Sequence, residues 1–304
     1  MKIACIIPTF NAGQDLVRLL ASLKSQTIIP DIHIVDSSST DGTLEYASGL
    51  IDNVISIQSS EFNHGATRQM MINRNPGYDI YVFLTQDAYL CDRDGLANLV
   101  TPFSNSKVGA VCGRQLPHHK ASLLAQHARF FNYPKGVRIK SIDDVKDLGI
   151  KTAFMSNSFA AYRRTALSGV GGFPEDVIFA EDMYVAAKLL ITGWTIVYAG
   201  NACVHHSHNY SIREDFSRCF DMGVFHAREP WIRETFGNAG GEGIRYVCSE
   251  LIFLGFRNCY LWPMSLIRNI FKYIGFRLGL IEGRLGLRLK RLLGMNKNYW
   301  RAVS

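Results

Sequence analysis

Short apolar runs alternate with segments of helical spacing over the first third of the chain. The apolar runs predict buried strands at residues 3–7, 32–35, 54–57, 80–85 and 108–112. Helices are predicted between them at residues 15–24, after a turn at 39–42, and at 67–73. Such an alternation indicates an α/β fold with a doubly wound, mostly parallel sheet and right-handed crossovers.

A second region follows with a looser pattern. Residues 159–162 and 195–198 are strand-like, and residues 182–191 have helical spacing. From Ser211 onward the pattern is mainly helical. We therefore expect an α/β domain over residues 1–210 and a helical, basic C-terminal region over residues 211–304.

The composition is that of an ordinary globular protein, since 47% of the 304 residues are hydrophobic and 19% are charged. The seven cysteines are odd in number and lack CxxC spacing, which argues against a disulfide scaffold or zinc knuckle and favours a reducing compartment. The chain leads directly into a predicted strand, and no window supplies the ~20 apolar residues that span a bilayer. We therefore expect a cytosolic protein without a signal peptide.

The net charge of +7 is concentrated at the C-terminus, where ten basic residues and one acid, Glu282, follow position 256. Between residues 267 and 292, apolar residues form one stripe at helical spacing, and most basic residues lie off it. This pattern predicts a basic amphipathic helix on an anionic membrane, with Trp262 and Tyr273 as interfacial anchors. Nucleic acid is not expected as a partner, since such a tail would make only non-specific phosphate contacts.

A helix packed on the rest of the protein is the open alternative for this C-terminal stripe. Gly275, Gly279 and Gly283 form a row of small residues that lets another helix approach closely. Glycines also lower helix propensity by roughly 1 kcal/mol each, so such a helix needs a partner surface.

Three predicted strands end in polar residues that packing does not require. They continue into Pro8-Thr9-Phe10-Asn11, Asp36-Ser37-Ser38-Ser39-Thr40-Asp41-Gly42 and Thr85-Gln86-Asp87. In a parallel sheet these ends face one crevice, where ligands bind. An Asp there can hold a hard divalent cation and through it a phosphate, or it can cap the next helix. Neither a dinucleotide fingerprint nor a P-loop is present.

The order of the motifs resembles family 2 glycosyltransferases of the GT-A fold over roughly residues 1–210. The motifs are Ile6-Ile7-Pro8-Thr9-Phe10-Asn11, Asp36-Ser37-Ser38-Ser39-Thr40-Asp41-Gly42-Thr43, Asn63-His64-Gly65-Ala66-Thr67-Arg68-Gln69, Phe83-Leu84-Thr85-Gln86-Asp87-Ala88, Ser156-Asn157-Ser158-Phe159-Ala160-Ala161-Tyr162-Arg163, Gly171-Gly172-Phe173 and Glu181-Asp182. The third and fourth of these most resemble bacterial rhamnosyltransferases that use dTDP-L-rhamnose.

The resemblance implies a nucleotide-sugar site. Asp36 would read the nucleobase or ribose, Thr9 would line that pocket, and Arg68 would lie beside the nucleotide. Gln86 and Asp87 would complete the donor site. A surface arginine on a helix is the open alternative for Arg68.

The resemblance also implies a metal, Mg²⁺ or Mn²⁺. The family's motif is usually Asp-x-Asp, whereas this chain has Thr85-Gln86-Asp87, which leaves Asp87 as its only acidic ligand. A histidine after the last strand can add a ligand, and we favour His206 over His205 and His208. A histidine-rich loop that only forms local hydrogen bonds remains open.

Glu181-Asp182 fits the family's general-base position. Transfer to an alcohol needs a carboxylate that takes the proton of the acceptor hydroxyl, and we assign Asp182 this role. Glu181 would orient it or contact the acceptor; two acids that compensate a helix dipole are the alternative. One base without a carboxylate nucleophile implies inversion, hence an α-L-rhamnoside from β-linked dTDP-L-rhamnose.

The predicted function is therefore transfer of L-rhamnose from dTDP-L-rhamnose to a lipid-linked oligosaccharide in O-antigen or other surface polysaccharide assembly. The C-terminal helices would attach the enzyme peripherally to the cytoplasmic face of the bacterial inner membrane, where an undecaprenyl-diphosphate-linked acceptor would lie. A homo-oligomer is left open. The alternatives are a UDP-hexose-dependent enzyme of the same family and a non-catalytic protein that binds sugar nucleotides or membranes.

Overall fold

The computed structural model describes residues 1–237 and 241–302, and within them nine strands form one mixed sheet. The strands are β1 Ile3–Thr9, β2 Asp31–Asp36, β3 Asn53–Ser56, β4 Ile80–Leu84, β5 Tyr89–Leu90, β6 Val108–Leu116, β7 Val137–Lys140, β8 Phe159–Arg163 and β9 Thr195–His205.

The strand order is β3-β2-β1-β4-β8-β6-β9-β5, and β7 pairs with β9. Strands β1 to β4 pair in parallel, as predicted for a doubly wound sheet. Strand β8 runs antiparallel between β4 and β6, and β9 is again parallel to β6. The sheet is thus mostly parallel, with only β5, β7 and β8 reversed.

The α-helices surround this sheet. They are α1 Gly13–Lys24, α2 Thr43–Ser48, α3 His64–Arg74, α4 Gly95–Val100, α5 Leu123–Asn132, α6 Val145–Leu148, α7 Arg164–Gly169, α8 Glu181–Ile191, α9 Ile212–Arg228, α10 Pro230–Phe236, α11 Glu242–Leu254, α12 Trp262–Leu280, α13 Leu287–Leu293 and α14 Tyr299–Ala302. Short 3-10 turns occupy Thr101–Ser104, Ile142–Asp144, Gly149–Ala153, Phe256–Leu261 and Glu282–Arg284.

Both faces of the sheet are covered, which explains why its central strands are continuous apolar runs. Ala4 and Ile6 of β1 point into the core layer formed with α3, α8 and α9, whereas Cys5 and Ile7 point into the layer formed with α1 and α4. With both faces packed, a polar site at the sheet can open only at the strand ends.

The C-terminal stripe is not one helix, so that prediction is wrong. Helix α12 ends at Leu280, a 3-10 turn follows, and α13 begins at Leu287. The first residue after α12 is Ile281, whose backbone angles, φ −107° and ψ 23°, are not helical. The stripe therefore divides: Ile270 and Ile274 are exposed, whereas Leu278 and Leu285 pack against the main core.

The alternative prediction, a helix packed on the protein, describes most of α12. A Cβ on Gly279 would lie 2.1 Å from the carbonyl oxygen of Phe220 in α9, and one on Gly275 would lie 2.4 Å from that of Phe216. Gly283 has no such neighbour within 4 Å. Phe220 and Trp300 belong to the same core as β1 and β4, so the C-terminal helices share the core of the α/β domain.

Among the described helices, none combines the length and the apolar character that crossing a bilayer requires.

Candidate active site

A cavity of about 500 Å³ opens where β1, β4, β6 and β9 end and α8 begins, and we call it the strand-end cavity. Nearly all predicted site residues line it, namely Thr9, Arg68, Gln86, Asp87, Glu181, Asp182 and His206. Asp36 does not line it but lies completely buried directly after Val35. Thr9, Gln86 and Asp87 follow strands of the parallel sheet, whose ends face one crevice, and this strand-end rule predicted their place at the cavity. The other lining residues were implied by the family resemblance.

Asp87 is the centre of a cluster that could hold a metal ion. Its Oδ2 lies 3.4 Å from Nε2 of His206 and 3.8 Å from Nδ1 of His208. The three possible ligand atoms all lie within 4.8 Å of one another. His205 does not belong to this cluster and does not line the strand-end cavity, and its Nδ1 lies 2.8 Å from the carbonyl oxygen of Pro117. Strand β9 extends to His205, beyond its predicted end at 198, and this extension carries His206 and His208 to the cavity.

The tautomer of His206 is fixed by a chain of two residues. Arg129 can only donate, and its NH1 donates to Oε1 of Gln115 at 2.5 Å, which identifies that atom as the amide oxygen. The same Oε1 lies 2.9 Å from Nδ1 of His206, so Nδ1 must carry the proton. The lone pair is then on Nε2, which faces Asp87. Burial also lowers the pKa of His206 well below its usual range, and a neutral imidazole is the form that binds metals.

The two acids at the start of α8 have different environments. Glu181 is buried; its Oε1 lies 3.0 Å from NH1 of Arg68 and accepts a hydrogen bond from Nδ2 of Asn157 at 2.9 Å. Asp182 accepts hydrogen bonds from the backbone N–H groups of Asn157 and Met183, at 3.0 and 2.8 Å. Glu181 is therefore held in an ion pair, whereas Asp182 has no cationic partner within the described residues.

These environments separate the pKa values of the two carboxyls. Burial, and next the adjacent charge of Glu181, raise the pKa of Asp182 to about 7. Burial also opposes ionisation of Glu181, but Arg68, His64 and Asn157 outweigh it and lower the pKa of Glu181 below its usual value. Two carboxyls with pKa values pushed apart are the pattern of one fixed charge beside one proton acceptor.

Arg68 is not a surface residue, so that alternative is wrong. Its side chain is 4% exposed, its NH1 donates to the carbonyl oxygen of His64 at 2.8 Å, and its guanidinium lies over the ring of Phe83. Its ion pair with Glu181 connects α3 to α8. Contact between Arg68 and a nucleotide stays a prediction.

Asp36 and Gln86 hold the strand-end loops together. The Asp36 carboxylate accepts hydrogen bonds from Oγ1 of Thr9 at 2.9 Å and from the N–H and Oγ of Ser39 at 2.8 and 2.6 Å. Gln86 accepts from the N–H of Phe10 at 2.7 Å and donates to its carbonyl oxygen at 3.1 Å. The predicted role of Asp36 in base or ribose recognition remains a prediction.

The sequence reasoning missed several residues of the site. Gln115 follows an apolar run at the end of β6, so the strand-end rule could have found it. Asn157 lies within a quoted motif but was given no role. Arg129 of α5 and Arg218 of α9 reach the cavity from distant elements, and no local pattern in the sequence marks them.

Comparison with known proteins places this site in a family. The family model of glycosyl transferase family 2 matches residues 4–171. Over 307 residues the chain is 48% identical to the O-antigen chain rhamnosyltransferase RfbN of Salmonella typhimurium, covering 100% of this chain and 98% of RfbN. It is also 48% identical to WbaN of Salmonella anatum, an O-antigen chain rhamnosyltransferase, covering 98% and 96% of the two chains.

Solved structures show the same fold at low identity. The mannosyltransferase PcManGT from Pyrobaculum calidifontis, in complex with GDP-Man and Mn²⁺, has a TM-score of 0.56 at 21% identity, covering 99% of this chain and 85% of that one. S. aureus TarS 1–349 has a TM-score of 0.54 at 16% identity, covering 93% and 91%. The motifs, the strand-end cavity and these matches lead to one conclusion: the chain belongs to glycosyl transferase family 2.

Proposed function

We propose that this glycosyltransferase transfers L-rhamnose from dTDP-L-rhamnose to a lipid-linked oligosaccharide in the assembly of O-antigen or a related surface polysaccharide. The observation that carries the proposal is that Asp182, a carboxyl with a pKa of about 7, lines the same cavity as the cluster of Asp87, His206 and His208. Two relatives with 48% identity over nearly their whole lengths are O-antigen chain rhamnosyltransferases, which supports the choice of sugar and pathway.

The geometry supports a single displacement with inversion. Asp182 takes the proton of the acceptor hydroxyl as its oxygen attacks the anomeric carbon and the bond to the leaving diphosphate breaks. Glu181 does not act as a nucleophile, because Arg68 and Asn157 bind its carboxylate. A β-linked donor then gives an α-L-rhamnoside.

A divalent ion fits the cluster of Asp87, His206 and His208. When bound there, it neutralises the charge that develops on the leaving diphosphate. Mg²⁺ prefers oxygen ligands, and two imidazoles beside one carboxylate therefore favour Mn²⁺ over Mg²⁺. The Mn²⁺ in the complex of PcManGT supports this choice.

Replacing Gln115 with Met tests the metal site without measuring turnover. The variant removes the acceptor of the His206 Nδ1–H, so we expect Mn²⁺ affinity to fall roughly 10–100-fold, the usual effect of losing such an outer partner. Electron paramagnetic resonance measures bound Mn²⁺ with and without dTDP. Gln126→Met is the control, because the Gln126 side chain donates to the carbonyl oxygen of Ala121 and does not line the strand-end cavity. Unchanged Mn²⁺ affinity in Gln115→Met would remove His206 from the metal site.

Replacing the two acids separately tests the division of roles. Asp182→Asn should lower the transfer rate by about 10²–10⁴-fold while donor binding is retained, since a general base typically contributes that much.

In the wild type, kcat/KM should fall as the pH drops below about 7, because protonation of Asp182 removes the base. Glu181→Gln should move this acid limb to lower pH, since the neighbouring negative charge that raises the pKa of Asp182 is gone. The measurement is a pH profile of rhamnosyl transfer; an acid limb that stays in place would contradict the assignment.

Attachment to the cytoplasmic face of the inner membrane is also part of the proposal. The end of α11, the turn after it and α12 expose large apolar side chains, which we call the apolar face: Ile252, Phe253, Phe256, Tyr260, Met264, Ile267, Phe271 and Ile274. Phe256 and Ile252 are 87% and 79% exposed, and Arg257 and Arg277 lie in the same segment. Apolar side chains beside basic ones are typical of binding to anionic membrane surfaces.

The double variant Phe256→Glu/Ile252→Glu should bind vesicles containing phosphatidylglycerol at least ten-fold more weakly than the wild type. Each substitution removes apolar area from the interface and adds a charge that anionic lipids repel. Flotation assays measure the bound fraction. Ile29→Glu is the matched control, since Ile29 is 65% exposed but lies far from this segment in sequence. Equal flotation of the double variant and the wild type would exclude this face as the attachment surface.

A further inference from the structure

A second cavity of about 890 Å³ lies between α5, α9, α11 and α12, and we call it the helical groove. It adjoins the strand-end cavity, because four residues line both: Arg129, His208, Tyr210 and Arg218. A ligand in the helical groove would therefore lie next to the strand-end cavity.

The walls of the helical groove are largely apolar, with Leu124, Ala128, Met222, Val247 and Phe276 among the lining residues. Ile244, Ile270 and Tyr273 also line it and are 73%, 55% and 61% exposed, so the groove opens to the surface beside them. Ile270 and Tyr273 belong to α12, which also carries part of the apolar face. The groove thus leads from an apolar surface to the strand-end cavity.

Two cations lie where the two cavities meet. Arg129 donates to the neutral Gln115 and lies over the ring of Tyr133, and its buried Nε has no hydrogen-bond partner. Arg218 lies over the ring of Phe179, with its guanidinium carbon 4.7 Å from the ring centre. Within the described parts of the chain, neither guanidinium pairs with a carboxylate.

The other cations of the groove, Arg268 and Lys272, share one carboxylate. Asp215 accepts hydrogen bonds from Nε and NH2 of Arg268, and its Oδ2 lies 3.9 Å from Nζ of Lys272. Arg129 and Arg218, at the junction, are therefore the groove-lining cations that have no carboxylate partner among the described residues. An anion at the junction with an apolar chain in the groove would match both properties.

We propose that the helical groove binds the lipid diphosphate of the acceptor, with the diphosphate between Arg129 and Arg218 and the lipid chain running toward the apolar face. This inference rests on the proposed function in one respect, the lipid-linked nature of the acceptor. The guanidinium of Arg218 lies over the ring of Phe179, which precedes Asp182 by three positions in the sequence. Arg218 and Asp182 line the same cavity. The sugar that receives the rhamnose is consequently close to the lipid diphosphate rather than at the end of a long glycan.

Farnesyl diphosphate, a short lipid diphosphate, is the probe for this site. Calorimetry should show that it binds the wild type at least ten-fold more tightly than farnesol or inorganic diphosphate do. Farnesol lacks the diphosphate, and inorganic diphosphate lacks the apolar chain. Arg218→Gln and Val247→Trp should each weaken its binding at least ten-fold, the first by removing charge and the second by filling the groove. Arg213→Gln on the same helix and Ile29→Trp at an exposed position are the controls, because neither residue lines the groove or belongs to the apolar face.

The donor provides the second measurement on the same variants. Val247→Trp should bind dTDP-L-rhamnose as the wild type does, which also shows that this variant is folded. Unchanged binding of farnesyl diphosphate to Val247→Trp would overturn the proposal. So would an Arg218→Gln variant that loses affinity for the donor but not for farnesyl diphosphate, because the arginines would then serve the donor diphosphate.

A photoreactive farnesyl diphosphate tests the location in the unaltered protein. Cross-links to α11 and α12 at the groove would support the proposal, and cross-links confined to other surfaces would overturn it. A wild type that binds farnesyl diphosphate in the groove but no dTDP-L-rhamnose would support the lipid site while contradicting the proposed donor. Failure of the lipid site and failure of the proposed donor therefore give different results.

Discussion

The buried ion pair between Arg68 and Glu181 is the contact on which the rest of the site depends. Two adjacent carboxyls at the start of one helix would otherwise repel each other and share any proton. Arg68 keeps Glu181 ionised, and the charge of Glu181, together with burial, holds the pKa of Asp182 at about 7. A buried ion pair often costs more in desolvation than it returns in attraction. We therefore relate the pair to the proposed role of Asp182 as proton acceptor rather than to the stability of the fold.

Asn157 makes this arrangement rigid, because it contacts both acids. Its side chain donates to Glu181, its backbone N–H donates to Asp182, and its own Oδ1 accepts from the hydroxyl of Tyr162 in β8. The antiparallel strand β8 thus fixes the start of α8 relative to the sheet. On the opposite wall, Arg129 and Gln115 orient His206 in a similar way. Asn157 lies in the turn directly before β8, whereas Gln115 and Arg129 lie on β6 and α5.

The C-terminal helices are part of the catalytic body rather than an appended tail. Helix α9 contributes Phe220 and Val224 to the core of the sheet and carries Arg218 to the cavity. Helix α12 packs on α9 at Gly275 and Gly279 and leaves other apolar side chains exposed. The alternative of a packed helix is confirmed for one side of α12, whereas attachment to a membrane through the exposed positions stays a proposal.

The sequence predicted most of the fold and the place of the site for identifiable reasons. Apolar runs predicted the central strands, and the strand-end rule placed Thr9, Gln86 and Asp87 at one cavity. The single C-terminal helix was wrong, because the spacing of apolar residues continues through the break at Ile281. Arg129 and Arg218 could not be predicted, because their function comes from tertiary packing, not from a local pattern.

The most direct test of the account is calorimetric binding of dTDP-L-rhamnose and UDP-glucose, each with and without Mn²⁺, to the wild type and to Asp87→Ala. The account predicts that the dTDP sugar binds preferentially, that Mn²⁺ strengthens its binding, and that Asp87→Ala abolishes this dependence on Mn²⁺. Preference for UDP-glucose would contradict the donor while leaving the family in place. Equal binding of the dTDP sugar with and without Mn²⁺ would contradict the role of Asp87, His206 and His208 as a metal site.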